Sequence, residues 1–345
     1  MDRALHSRQE IIGIVALEGE AQAVLAVLVH TGDGILQAAG GMDHRHGAVA
    51  HGVHLAQAAG LALGGHQVDV TAGIDPGSQA QVKGDLRSHL VREVCCQLPE
   101  EGFVLRLTGI VNGIDYNTFN PETDPALPAH YNAETIGEGK AQCKAELQKE
   151  LGLPVEPDVP LLVMVTRLAG HKGLDLLCYI ARRLLNEENI QMAILGTGEA
   201  QYESFFRGLE AEFPEKVAAK ITFNLGLAAR IYAGGDIYLM PSKSEPCGLS
   251  QMNAMHYGTV PVVHATGGLK DTVPGVDDNG ENGLGYNFQS YNGDDFHTAI
   301  KRALKLYNED KEAWHALQVR DMTTDFSWNV PAGRYMELFR QMLGE

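Results

Sequence analysis

The chain has 345 residues, 44% of them hydrophobic, and a formal charge of −17, which allows about two domains. That acidity excludes nucleic acid and anionic membranes as main partners, since both repel surplus carboxylate, but it does not exclude a neutral polysaccharide. No apolar run reaches the ~18 residues of a membrane-crossing helix; Ile11 to Val29 comes nearest and is interrupted by Glu18, Glu20 and Gln22.

The first 102 residues differ from the rest. They hold no Phe, Tyr, Trp or Asn and one lysine, Lys83, while all 10 Phe, 11 Tyr and 2 Trp lie further on. Aromatic side chains dominate most cores, so a stretch of this size without one stands apart. Residues 1–102 are therefore read as an unassigned segment and residues 103–345 as the folded domain. The pattern from Ala48 to Leu63 allows an amphipathic helix. His44, His46, His51 and His54 lack cysteines or carboxylates at ligand spacing and are not read as a metal site. Cys95 and Cys96 are read as small buried side chains, not as a redox pair. With Cys143, Cys178 and Cys247 they make five cysteines in no framework spacing and no CxxC. Together with the lack of a signal-peptide pattern, this predicts a cytoplasmic protein with reduced thiols.

From Gly109 onward the pattern is regular. Gly109–Asn120 leads into an irregular stretch reaching Gly139, and Lys140–Leu151 is expected as a helix with Gly152 just past its end. Strands are predicted at Leu161–Val165, Gln191–Leu195, Ile221–Phe223, Ile237–Met240, Val260–His264 and Gly285–Phe288. Helices are predicted between them at Gly173–Leu185, Ala200–Phe213, Leu227–Ala233, Gly248–Tyr257 and Gly268–Val273, then at Asp294–Tyr307 and Val330–Leu343. The alternation predicts an α/β fold, a Rossmann-like doubly wound parallel sheet with right-handed crossovers.

Two strand ends carry chemistry. After Ile237–Met240 comes Ser242-Lys243-Ser244-Glu245-Pro246-Cys247-Gly248-Leu249, which places a carboxylate and backbone N–H groups where a helix begins. In a doubly wound sheet ligands sit in that crevice; the same pattern also fits a plain strand–turn–helix junction. After Val163–Val165, Arg167 stands at the strand end and Lys172 at the next helix entrance. A planar guanidinium and a compact ammonium together suit a diphosphate, although cations at a rim also serve as surface ion-pair partners. Two further loops, Gly196-Thr197-Gly198 and Thr266-Gly267-Gly268-Leu269, follow strands in the same way; the second is either a phosphate-binding helix entrance or a tight turn that needs glycine.

The segments TRLAGHKG, SEPCGL, YGTVPVVHATGGLKDTV and TDFSW, with GIVNGIDYNTFNPETD upstream, resemble bacterial glycogen synthase and plant starch synthase from about Gly109 to the C-terminus. The resemblance covers that family's second half. It implies a retaining glucosyltransferase using ADP-glucose and an α-1,4-glucan acceptor, built as the second domain of a two-Rossmann enzyme. It implies Arg167 and Lys172 at the diphosphate and Glu245 at the glucose hydroxyls. Cys247, Gly248 and Leu249 would then line sugar and phosphate, Gly196 and Gly198 the nucleotide, and Thr266, Gly267 and Gly268 the distal phosphate. Phe223 stands where an aromatic stacks on adenine, with core packing as the rival. No metal or cofactor is expected, because the cations neutralise the leaving diphosphate and no Asp-x-Asp stands on a strand end.

Several positions depart from the family pattern. Asn253 stands where broader relatives carry a second Glu, which fits the synthase branch and speaks against a sucrose- or trehalose-type transferase. Ser244 replaces an aromatic, Phe119 a Trp, and Leu225-Gly226-Leu227 a polar loop, which predicts a looser nucleotide site. The family's first half begins with a Lys-x-Gly-Gly-Leu loop, and residues 1–102 have none. The chain is therefore expected to be a truncated synthase with weak or no transfer activity. The alternative is a non-catalytic module that binds ADP, a nucleotide sugar or a glucan. Trp328, before the last helix, is expected to serve packing.

Overall fold

The computed structural model describes residues 110–277 and 280–343, with side chains to residue 341, and the backbone of five earlier strands. The expected Ala48–Leu63 helix, the histidine cluster and Cys95–Cys96 lie outside the described residues. The chain divides into two compact units, residues 113–327 and residues 1–112 with 328–345.

In the second of these, β1 (Gln9–Glu18), β2 (Val24–Thr31), β3 (Leu36–Gly41), β4 (Gln67–Thr71) and β5 (Val104–Thr108) form an antiparallel sheet in the order β3-β2-β1-β5-β4. The register between β1 and β2 shifts at Ile11/Gly13.

Residues 113–327 carry the α/β architecture. Six strands, β6 (Leu161–Val165), β7 (Gln191–Leu195), β8 (Val217–Lys220), β9 (Ile237–Met240), β10 (Val260–His264) and β11 (Tyr286–Phe288), form a parallel sheet in the order β11-β10-β9-β6-β7-β8. Numbered within the sheet this is 3-2-1-4-5-6, a doubly wound order whose direction reverses between β6 and β9. Leu161–Met164 and every residue of β7, β9 and β10 are buried, as strands covered on both faces require.

The helices are α1 (Ile136–Leu151), α2 (Leu174–Glu187), α3 (Ala200–Glu212), α4 (Leu225–Gly234), α5 (Ser250–His256), α6 (Gly267–Thr272), α7 (Gly293–Glu309) and α8 (Lys311–Thr323), with α9 (Asn329–Leu343) in the other unit. On α2 a buried stripe of Leu174, Leu177, Ile180, Ala181, Leu184 and Leu185 explains why this segment is helical and which face it turns to the sheet. Helix α7 repeats the device with Phe296, Ala299, Ile300, Ala303, Leu304 and Tyr307. Asn292 and Asp310 cap α7 and α8, accepting from the amides of Asp295 (2.8 Å) and Ala313 (2.9 Å). Past the end of α1, Gly152 takes the left-handed conformation at φ +80°, as its position in the sequence predicts.

Two readings are corrected. The third strand is Val217–Lys220, not Ile221–Phe223: Val217–Lys220 pairs with Met192–Leu195, and the chain then leaves the sheet through a Thr222 N–H to Lys220 O bond. Helix α8 has no counterpart among the expected helices. Its buried positions, Trp314, Leu317, Gln318, Asp321 and Met322, include two polar residues that blur the apolar pattern.

At the amino ends of the strands, two buried lysines on α1 tie loops together. Lys144 Nζ pairs with Asp236 Oδ2 at 2.7 Å and donates to the carbonyls of Pro157 and Val159 and to the Tyr307 hydroxyl. Lys140 Nζ reaches the carbonyls of Ala233 (3.0 Å) and Tyr257 (3.1 Å) and Thr259 Oγ1 (2.7 Å). Burial pushes the Lys140 ammonium down to about 7. Two motifs distant in sequence also meet. The Ile114 amide donates to Phe326 O (2.8 Å) and the Phe326 amide to the Tyr116 hydroxyl (2.8 Å), so GIDYN and TDFSW hold each other. Trp328 remains 42% exposed, so the packing expected of it is partial.

Candidate functional site

The reversal between β6 and β9 places the loops after these two strands side by side. After β6 the chain passes Arg167 and makes a single 3₁₀ turn, Gly170–Lys172, before α2. After β9 it runs from Pro241 to Leu249 before α5. Gly173, at φ +73°, lets the two meet, because a Cβ there would run into the Pro241 carbonyl. The Lys243 amide donates to His171 O at 2.9 Å. Beside that bond Lys172 Nζ lies 2.5 Å from Glu245 Oε2, and both side chains are largely buried, at 21% and 11% exposure. The Ser242 hydroxyl approaches the same carboxylate oxygen at 3.4 Å. Arg167 is exposed and, among the described residues, no carboxylate pairs with it. The structure therefore brings Lys172 and Glu245 into contact and leaves Arg167 at the open rim.

The Glu245 loop is fixed from behind. Gly248 is left-handed at φ +72°, with the buried Gln251 side chain against its Cα. The Gln251 amide group donates to the carbonyls of Cys247 (3.3 Å) and Gly248 (3.0 Å) and to Thr272 Oγ1 (3.0 Å). His264 Nδ1 lies 2.8 Å from Ser242 O, and its ring packs near Phe288 and Tyr291. Cys247 is buried, as a packed thiol should be.

Gly268 takes a part the sequence did not suggest. Its amide donates to the carbonyls of Glu245 and Pro246, both at 3.1 Å, and a Cβ on it would press into the Cys247 backbone. That N–H is therefore engaged within the chain, and Gly268 clamps the entrance of α6 onto the Glu245 loop. The Thr266 and Leu269 amides also have internal acceptors, His264 O and Thr266 O.

Gly196 and Gly198 do similar work on the other side. The Thr166 amide donates to Leu195 O and the Leu168 amide to Thr197 O, so the two loops run as a short parallel zip with a bridge between Leu168 and Gly198. A side chain at Gly196 or Gly198 would collide with the carbonyls of Thr166 or Leu168. Gly196 is buried and Gly198 exposed. Phe223 is 81% exposed, which removes the core-packing reading for it. His171 carries a depressed affinity for protons, first through desolvation and then through the Lys172 charge. Asn253 is buried.

Sequence reasoning did not single out Gln251, His264 or Glu199. Glu199 follows Gly198 and precedes α3, and its Oε1 accepts the Gly170 amide at 2.9 Å. Its position just before a helix is the signal that was there to be read.

The model of the family Glycosyl transferases group 1 matches residues 145–316. The chain is 48% identical over 246 residues to a glycogen synthase from Clostridium perfringens, covering 71% of this chain and 50% of that one. It is likewise 48% identical to a glycogen synthase from Kosmotoga olearia, over 69% of this chain and 49% of that one. A solved structure of the catalytic domain of starch synthase IV from Arabidopsis thaliana bound to ADP and acarbose is 37% identical, with a TM-score of 0.64 over 69% of this chain and 49% of that chain. The α/β part of this chain is similar to the C-terminal part of glycogen and starch synthases. It spans about half the length of the curated relatives it matches. The glycogen and starch synthase resemblance read from the motifs is thereby established for the α/β part, together with the glycosyltransferase fold. No helix among the described residues is long and apolar enough to cross a membrane. Nor do these residues hold a cluster of three or more potential metal-binding side chains.

Proposed function

We propose that residues 113–327 bind ADP-glucose at the crevice between the loops after β6 and β9. The reaction class is transfer of glucose, with retention, to the non-reducing end of an α-1,4-glucan. The observation that carries this reading is the contact of Lys172 with Glu245 across the reversal of strand order.

Breaking the bond between the anomeric carbon and the phosphate oxygen puts negative charge on the departing diphosphate while the sugar becomes oxocarbenium-like. Arg167 and Lys172 meet the growing charge, and fixed cations are the strongest help a site gives such a step. Glu245 accepts hydrogen bonds from glucose hydroxyls. Cys247, Gly248 and Leu249 border the sugar and phosphate, Gly196 and Gly198 border the nucleotide, and Thr266, Gly267 and Gly268 close the crevice on the side of the distal phosphate. Phe223, already solvent-facing, offers its ring to adenine. The likeness to a starch synthase solved with ADP supports the choice of nucleotide.

Transfer also requires an acceptor groove, which the resemblance places in the first half of the relatives, and residues 1–102 carry no motif of that half. Bringing donor and acceptor together contributes several kcal/mol, about 7–11 in favourable cases. Binding of ADP with little turnover is therefore the behaviour proposed for this sequence. Calorimetric titration with ADP, run beside incorporation of labelled glucose from ADP-glucose into glycogen, tests both halves. Binding with slow incorporation fits the proposal; no binding refutes the site, and rapid incorporation refutes the weak turnover.

A further inference from the structure

The 3₁₀ turn that delivers Lys172 begins at Gly170, and its N-cap residue is Ala169, whose side chain offers no acceptor. An exposed turn without a cap leaves its first N–H groups to water and gains little rigidity. Here the cap comes from 29 residues further along the chain. Glu199 Oε1 accepts the Gly170 amide at 2.9 Å, and its Oε2 accepts Gln201 Nε2 at 2.8 Å. The Glu199 backbone amide donates to Leu168 O at 2.7 Å. One residue therefore grips the segment from Arg167 to Lys172 at two points, Leu168 through its backbone and Gly170 through its side chain. The Gly170 N–H, followed by the Gln201 amide group, holds the Glu199 carboxyl below its ordinary range. The carboxylate is thus the form that binds.

We propose that Glu199 is a positioning residue for the diphosphate site, an anchor supplied from outside the turn that aims Arg167 and Lys172. This rests on the reading of the Arg167–Lys172 loop as the place where a nucleoside diphosphate binds. Bare electrostatics predicts the opposite effect. An added negative charge near this loop opposes an anionic ligand, so removing it should strengthen binding. The hydrogen bond to Gly170 predicts weaker binding instead, because the loop must then be ordered by the ligand.

Three variants separate reach from charge. Glu199→Ala loses both, Glu199→Asp keeps the charge but is one methylene short, and Glu199→Gln keeps the reach without the charge. The measurement is ADP affinity of the full chain by calorimetry, with thermal unfolding recorded for each variant. Ala and Asp are expected to weaken ADP by about 5- to 10-fold, as loss of a loop-ordering hydrogen bond worth about 1–1.4 kcal/mol implies, with Gln within 2-fold of the unaltered chain. Melting temperatures are expected to stay close together, because the bond lies at the surface. Should Asp bind ADP like the unaltered chain while Gln does not, or should Ala bind it more tightly, the positioning role is wrong. If the unaltered chain binds no ADP, the diphosphate reading falls and takes this inference with it. If Lys172→Ala weakens binding and no Glu199 variant does, this inference alone fails.

Discussion

Lys172 Nζ and Glu245 Oε2 meet at 2.5 Å across the line where the strand order of the sheet reverses. The cation proposed for the phosphate thus pairs with the carboxylate proposed for the sugar. In the proposed site an arriving diphosphate would exchange partners with it, phosphate taking Lys172 and Glu245 turning to the glucose hydroxyls. Replacing Glu245→Gln should therefore raise ADP affinity by about 3- to 5-fold, since one nearby charge contributes about 1 kcal/mol in water. The same change should lower glucose transfer by more than about 10-fold, through loss of the charged acceptor. Weaker ADP binding in this variant would argue against the exchange.

Phe223 offers a cleaner separation of binding from folding. At 81% exposure its side chain contributes little to the core. Phe223→Ala should leave the melting temperature nearly unchanged and weaken ADP by about 1–3 kcal/mol, the usual range for a base stacked on an aromatic ring. A variant that melts much earlier, or that binds ADP as before, contradicts the assignment.

Asp321 on α8 is fully buried, and neither carboxylate oxygen has a hydrogen-bond partner among the described residues. Burial raises its carboxyl well above the ordinary value, opposed by the Arg320 charge. The folded chain thus keeps a proton that the unfolded chain releases near pH ~3.9. Its contribution to stability is whole below that value and is lost as pH rises towards the folded value. Asp321→Asn, which has no such proton to lose, should melt higher than the unaltered chain at pH 7, with the gap closing as pH falls towards 4. A gap that does not change with pH would refute the buried-acid account.

Lys144 and Lys149 lie on the same helix and make contrasting ion pairs. Lys144 is buried against Asp236, whereas Lys149 pairs with Glu146 with both side chains about half exposed. Lys144→Met strands a buried carboxylate and should cost about 3–5 kcal/mol. Lys149→Met should cost less than about 1 kcal/mol, as exposed pairs do. Denaturant unfolding of the two variants measures the difference, and equal losses would overturn the reading of the Lys144 network.

The parallel sheet was legible because β6, β7, β9 and β10 are short apolar runs, rich in Val, Leu, Ile and Met, with polar residues close at hand. β8 was not: Val217-Ala218-Ala219-Lys220 looks like a helix tail, while Ile221-Thr222-Phe223 has the composition of a strand. Backbone pairing with β7 decides the matter, and that is a long-range fact. Arg167, Lys172 and Glu245 stood out as charged residues at strand ends. Their mutual placement did not, nor did the Gly268 amide at the Glu245 carbonyl, because each depends on loops brought together by the sheet. For Glu199 the position just before a helix is legible, but its partner is not, since Gly170 is 29 residues away.

In the proposed site Arg167 and Lys172 hold the diphosphate of a nucleotide at the reversal between β6 and β9. ADP titration of the full chain and of the double variant Arg167→Ala, Lys172→Ala tests this. Loss of two charge-assisted contacts should weaken ADP by at least about 100-fold. An affinity that survives the double substitution unchanged would contradict the account.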